Sequence, residues 1–190
     1  MKILNIAMLG AFVLGQAASA GIIGYEAILN GPSESPANAS PGTGFAEITI
    51  DTILQTMRVQ VSFSGLLGPD TASHIHCCTV SPGVGTAGVA TTVPYFAGFP
   101  IGVTSGTYDN TLDLTLASSY NSSFETANGG TTAGAEAALL AAMAAGDTYL
   151  NIHTNSFPGG EIRGFLVPEP ATLLMAGAAL AGLAILRRCR

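Results

Sequence analysis

The chain has 190 residues, with six Lys or Arg against twelve Asp or Glu, 48% hydrophobic residues and 9% charged ones. A formal charge of -6 opposes nucleic-acid phosphates and anionic lipid, so neither is an expected partner. The positive mean hydropathy of +0.46 is partly contributed by two apolar ends and does not make the body a membrane protein.

Residues 1–20 read as a signal peptide. Lys2 opens a short basic region, Ile3 to Leu14 is apolar but too short to span, and Ala18-Ser19-Ala20 has the small residues that signal peptidase requires, so cleavage is expected after Ala20. Residues 21–167 then have the size of one domain. Arg58 and Arg163 are its only Lys or Arg residues, against eleven carboxylates. Such a surface suits cations, or simply solubility.

The body is β-rich, with Gly, Pro, Ser, Asn and Thr punctuating short alternating runs. Strands are predicted over Ile22 to Leu29, Phe45 to Ile50, Met57 to Ser64, Ser73 to Cys77, Val103 to Tyr108, Tyr149 to His153 and Glu161 to Val167. In the third, Met57, Val59, Val61 and Phe63 alternate with Arg58, Gln60, Ser62 and Ser64, one face dry and one wet. Ser81 to Gly88 reads as a loop. Asp51, Asp109 and Asp113 read as turn or strand-edge residues rather than a calcium loop. Several strands at this spacing point to an antiparallel sandwich or barrel.

His74 and His76 are two apart, so on a strand both imidazoles share a face, with Cα atoms about 6.6 Å apart. His153 lies near the end of another predicted strand. Two imidazoles from one strand and a third from a neighbour are a workable site for copper or zinc. Neutral imidazoles also serve as hydrogen-bonding struts, for which Asn151, Thr154 and Asn155 are natural partners, and spacing alone does not choose. Glu161 and Asp70 are auxiliary candidates, as ligands or as acceptors for an imidazole N–H. Adjacent Cys77 and Cys78 could form a vicinal disulfide in an oxidising compartment, stay as thiols, pack as small hydrophobes, or cross-link chains. Were the strand to continue, Cys78 would share the histidine face and offer a thiolate to a soft metal.

Ala133 to Ala145 breaks the β pattern. It is rich in helix formers, follows Thr131-Thr132 as caps and stops before Gly146; Leu139, Leu140 and Met143 are its expected core residues. Asn121-Ser122-Ser123 matches a glycosylation sequon without further support. Nucleophile-elbow, P-loop, dinucleotide and zinc-protease motifs are absent, and no catalytic residue is assigned.

Ser73-His74-Ile75-His76, Tyr149-Leu150-Asn151-Ile152-His153-Thr154 and Pro158-Gly159-Gly160-Glu161-Ile162-Arg163-Gly164 resemble the CHRD domain, and Glu34-Ser35-Pro36 and Pro41-Gly42-Thr43-Gly44 resemble its opening motif loosely. The resemblance implies a secreted β-sandwich without established catalytic activity. More distantly, the His-x-His strand and the late histidine are similar to copper/zinc superoxide dismutase, which would put His74, His76 and His153 at copper-ligand positions. This chain departs from that family in lacking a fourth histidine, and it has Glu161 about where the family has a guiding arginine.

The last 23 residues read Pro168-Glu169-Pro170, an apolar run over 171–186, and Arg187-Arg188-Cys189-Arg190. As a helix the run rises about 24 Å, slightly short of the roughly 30 Å hydrocarbon core but able to span it, and the terminal arginines favour a cytoplasmic end. This order resembles the PEP-CTERM sorting signal of exported bacterial proteins. It implies transient inner-membrane anchoring, a cut near Pro-Glu-Pro by an exosortase-type transpeptidase, and delivery to the cell surface or extracellular matrix of a Gram-negative-type bacterium.

The expectation is therefore a mostly β, antiparallel sandwich, Ig-like or superoxide-dismutase-like Greek key, with one short helix. A signal peptide (1–20) precedes the domain (21–167), and a sorting tail (168–190) with a transmembrane helix follows. Its task is expected to be binding or structural, with extracellular polysaccharide or surface proteins as partners. The alternative is copper- or zinc-dependent redox chemistry or metal storage at the three histidines.

Overall fold

The computed structural model describes residues 21–169. The expected leader with Ala20, Pro170 of the sorting motif and the expected span over 171–186 lie outside the described residues. Among these, no helix is long and apolar enough to cross a membrane.

The strands are β1 (Ile22–Asn30), β2 (Thr43–Asp51), β3 (Thr56–Ser64), β4 (Asp70–Cys77), β5 (Gly106–Asp113), β6 (Thr148–Thr154), β7 (Ile162–Phe165) and the short β8 (Val167–Pro168). Two helices, α1 (Ser122–Ala127) and α2 (Thr132–Ala145), lie between β5 and β6. All ladders between strands are antiparallel, in the order β4-β6-β7-β1-β2-β3-β5, with β8 on β1. The antiparallel β-rich expectation holds. The strands form one continuous sheet, curled as a half-barrel, rather than two separately hydrogen-bonded sheets.

Alternation decides which face closes on the core. Tyr25, Ala27 and Leu29 of β1, Ala46, Ile48 and Ile50 of β2, and the four apolar residues of β3 face inward. Ile75, Leu150, Ile152 and Ile162 extend this layer across β4, β6 and β7. Phe96 and Phe99 of the long β4–β5 connection join the same cluster, as do Leu139 and Met143 of α2. The helix begins where expected: Thr131 Oγ1 accepts from the Gly134 amide. It ends with Gly146 at φ 78°, whose N–H donates to Met143 O while Asp147 N–H donates to Ala142 O, closing a Schellman motif.

β5 corrects the sequence reading. Val103 lies outside any strand, just after the turn at Ile101 and Gly102, where its N–H donates to Asp70 Oδ1, and the strand starts at Gly106. Thr107, Asp109, Thr111 and Asp113 face solvent on the sheet's edge, where polar residues carry no burial cost and the low strand propensity of Asp is overridden. Asp109 pairs with Arg58 across the β3–β5 ladder, while Asp51 and Asp113 each accept from backbone amides in the turns that follow them. α1 was not anticipated; Asn121 caps it by accepting from the Ser123 amide.

Candidate metal centre

In the β4–β6 ladder His74 lies opposite Asn151, His76 opposite Tyr149, and Ala72 opposite His153. Opposed residues share a face, so both β4 histidines point away from the core, and His153 reaches His74 from the adjacent diagonal position. β7 extends this face, with Arg163 opposite Asn151 and Phe165 opposite Tyr149. The face is not open to water: His74, His76, Asn151 and Arg163 are all buried.

The three imidazoles meet. His74 lies 4.7 Å from His76 and 4.8 Å from His153 between ring centroids, and His76 lies 6.0 Å from His153. One ring nitrogen from each falls within 4.8 Å of the others. His76 Nδ1 is 2.8 Å from Ala87 O, and His153 Nδ1 is 2.9 Å from Pro158 O. A carbonyl only accepts, so each bond places the proton on Nδ1 and leaves Nε2 with its lone pair. Those two Nε2 atoms, and Nδ1 of His74, are buried without a hydrogen-bond partner.

Burial, with the neighbouring imidazoles adding to it, lowers the His74 pKa to about 3. Burial lowers His76 to about 4, against the opposing effect of the Ala87 carbonyl, and it lowers His153 as well. All three are therefore neutral at pH 7, the form in which imidazole binds metal. An unpartnered buried nitrogen is costly, and the three imidazoles bring such nitrogens into one cluster, with ring nitrogens within 4.8 Å of one another. Neutral imidazole is a donor type that suits copper or zinc, and a small inward movement of the rings would be needed to close on one ion.

The second layer was not read from the sequence. Tyr149 stacks on His76 at 4.6 Å, and its hydroxyl meets the backbone of Ala87, the residue that orients His76. The Arg163 guanidinium lies 4.7 Å from the Tyr149 ring centroid, donates to Ser33 O and Gly85 O, and stands 3.8 Å from the Glu34 carboxylate. Burial pushes Glu34 up to about 7 although Arg163 opposes the shift. Arg163 is one of only two Lys or Arg residues between 21 and 167, a signal available in the sequence. Its distance from Glu34 along the chain hid the pairing.

The auxiliary candidates stand elsewhere. Glu161 is fully buried and its oxygens are engaged: Oε1 accepts from Ser40 Oγ and the Leu67 amide, Oε2 from Thr154 Oγ1, each at 2.6 Å. Asp70 holds the chain at Val103. Cys77 and Cys78 are joined by a disulfide, and β4 ends at Cys77, so Cys78 has no thiolate to offer the cluster. Loop carbonyls, rather than Asn151, Thr154 or Asn155, take the imidazole N–H groups of His76 and His153. Of the processing residues, Pro168 and Glu169 are described, in and just beyond β8.

The CHRD domain family model matches residues 25–166. The chain belongs to this family. The PEP-CTERM protein-sorting motif matches residues 166–188, which implies export, a membrane-anchored precursor and exosortase processing. No curated protein and no solved structure matches the chain. In this CHRD domain, Ser73–His76 and Tyr149–Thr154 supply the histidine cluster, while the Pro158–Gly164 block supplies Arg163, which braces the loop and Tyr149 beside the site, and Glu161, which is an internal strut.

Proposed function

We propose that this exported surface protein binds one transition-metal ion, copper or zinc, through His74 Nδ1, His76 Nε2 and His153 Nε2, and works as a metal-binding module at the cell surface or in the matrix. The convergence of three buried ring nitrogens without partners carries this reading. When bound, such an ion supplies redox chemistry if it is copper and a fixed cross-strand tie if it is zinc. The chain's own residues do the rest: Ala87 O and Pro158 O orient two ligands, and Tyr149 and Arg163 hold the Ala87 loop over them.

The test is elemental analysis of protein released from an oxidising compartment, beside a His74→Ala, His76→Ala, His153→Ala variant whose fold is checked by circular dichroism. About one copper or zinc per chain, lost in the variant, is the expected result. A metal-free protein that takes up neither ion on loading would refute it. The second reading is an adhesive module without metal, for polysaccharide or surface proteins; it is favoured by Ile28 and Phe45, which lie opposite one another on the outer face, 72% and 41% exposed.

A further inference from the structure

The first two residues of the sorting motif, Pro168 and Glu169, are docked on the domain. Val167 and Pro168 lie opposite Glu26 and Tyr25 of β1, and the Glu169 N–H donates to Gly24 O at 3.0 Å. Pro168 and Pro170 have no N–H, so the amide of Glu169 is the one backbone donor that Pro-Glu-Pro possesses, and β1 uses it. The Glu169 side chain folds over the bare Cα of Gly24. Its carboxylate carbon and oxygens lie 2.5, 2.6 and 2.7 Å from where a Cβ on Gly24 would sit, so a side chain at position 24 would have to push the Glu169 carboxylate aside.

The tether leaves little slack. Leu166 is fully buried, and its N–H donates to Thr148 O. The four residues 167–170 span at most about 14 Å before the apolar run begins. A transpeptidase that reads this motif has to take hold of the same backbone and carboxylate that β1 holds, and strand ladders admit one partner on an edge at a time.

We infer that Gly24–Glu26 of β1 is an intramolecular docking strand for Val167–Glu169, and that the exosortase-type enzyme competes with it, so that release of β8 limits processing. This rests on the sorting reading. A two-residue strand opens easily, which makes the dock a brake rather than a block.

The test uses the full chain in cells that contain the transpeptidase, with precursor lifetime followed by pulse labelling. Gly24→Val fills the space of the Glu169 carboxylate and is expected to shorten the lifetime about two- to tenfold, the range that one net hydrogen bond supplies. Gly24→Ala is expected to move it in the same direction by less, and carries the comparison if the bulkier variant does not fold. In precursor purified from cells without the enzyme, hydrogen exchange at the Glu169 amide should be slower than in a free peptide of residues 165–172, and should lose that protection in Gly24→Val. Free-peptide exchange in the unaltered chain, or an unchanged lifetime once protection is lost, would overturn the brake alone. A precursor never processed in the unaltered chain would overturn the sorting reading, and the brake with it.

Discussion

Metal-free protein should lose stability between pH 7 and pH 5, before ordinary carboxylates titrate. His74 and His76 have folded-state pKa values of about 3 and about 4, below the usual 6.5. Their stabilisation is fully present above the unfolded value and is lost as pH falls, because the unfolded chain takes up protons that the folded chain refuses. At pH 5 each histidine then costs about 2 kcal/mol, together about 4 kcal/mol. Glu34 acts in the opposite sense. Its folded pKa, raised from 4.5 to about 7, binds a proton on folding in the same window and returns about 2 kcal/mol. The histidines win, and the net loss is about 2 kcal/mol, with His153 adding to it in the same direction. Urea unfolding of the released, metal-stripped protein at several pH values measures this. Glu34→Gln removes the opposing proton uptake and should deepen the loss toward about 4 kcal/mol. Equal midpoints at pH 5 and pH 7, with no added loss in Glu34→Gln, would show that the imidazoles titrate normally and that the cluster is open to water.

Saturating copper or zinc should raise the unfolding free energy at pH 7 by about 4 kcal/mol at a thousandfold excess over Kd, and the triple histidine variant should show no rise. Glu161→Ala is expected to cost about 3 kcal/mol or more in urea, because Ser40 Oγ, the Leu67 amide and Thr154 Oγ1 lose their shared acceptor inside the fold; a loss below 1 kcal/mol would mean that water replaces it. Arg163→Met should cost about 3 kcal/mol, because Ser33 O and Gly85 O lose a charged donor inside the fold, and Arg163→Lys should recover only part, since a compact ammonium cannot stack on Tyr149 while reaching both carbonyls.

Strands with strict alternation were legible in the chain, and β3 is the clearest: its four inward residues are all buried, as a period of two requires. The helix over 132–145 was legible too, because composition, cap and stop agreed at Thr131 and Gly146. β5 was not, since an edge strand tolerates the Asp and Asn residues that local propensity disfavours. For the site, alternation alone put His74 and His76 on one face. That His153 joins them depends on the β4–β6 register, and a one-residue slip would have turned it to the core side.

The sequence by itself determined the β-rich class, the sorting motif and the three candidate ligands, because these follow from local period and from motifs read along the chain. Only the tertiary structure decided that Glu161 and Asp70 are internal struts, that Ala87 and Pro158 orient two imidazoles, that Arg163 answers Glu34, and that Glu169 lies on Gly24. Each of these pairs residues through a ladder register or a loop placement, and both are set by how the whole apolar face closes rather than by any neighbour in the chain.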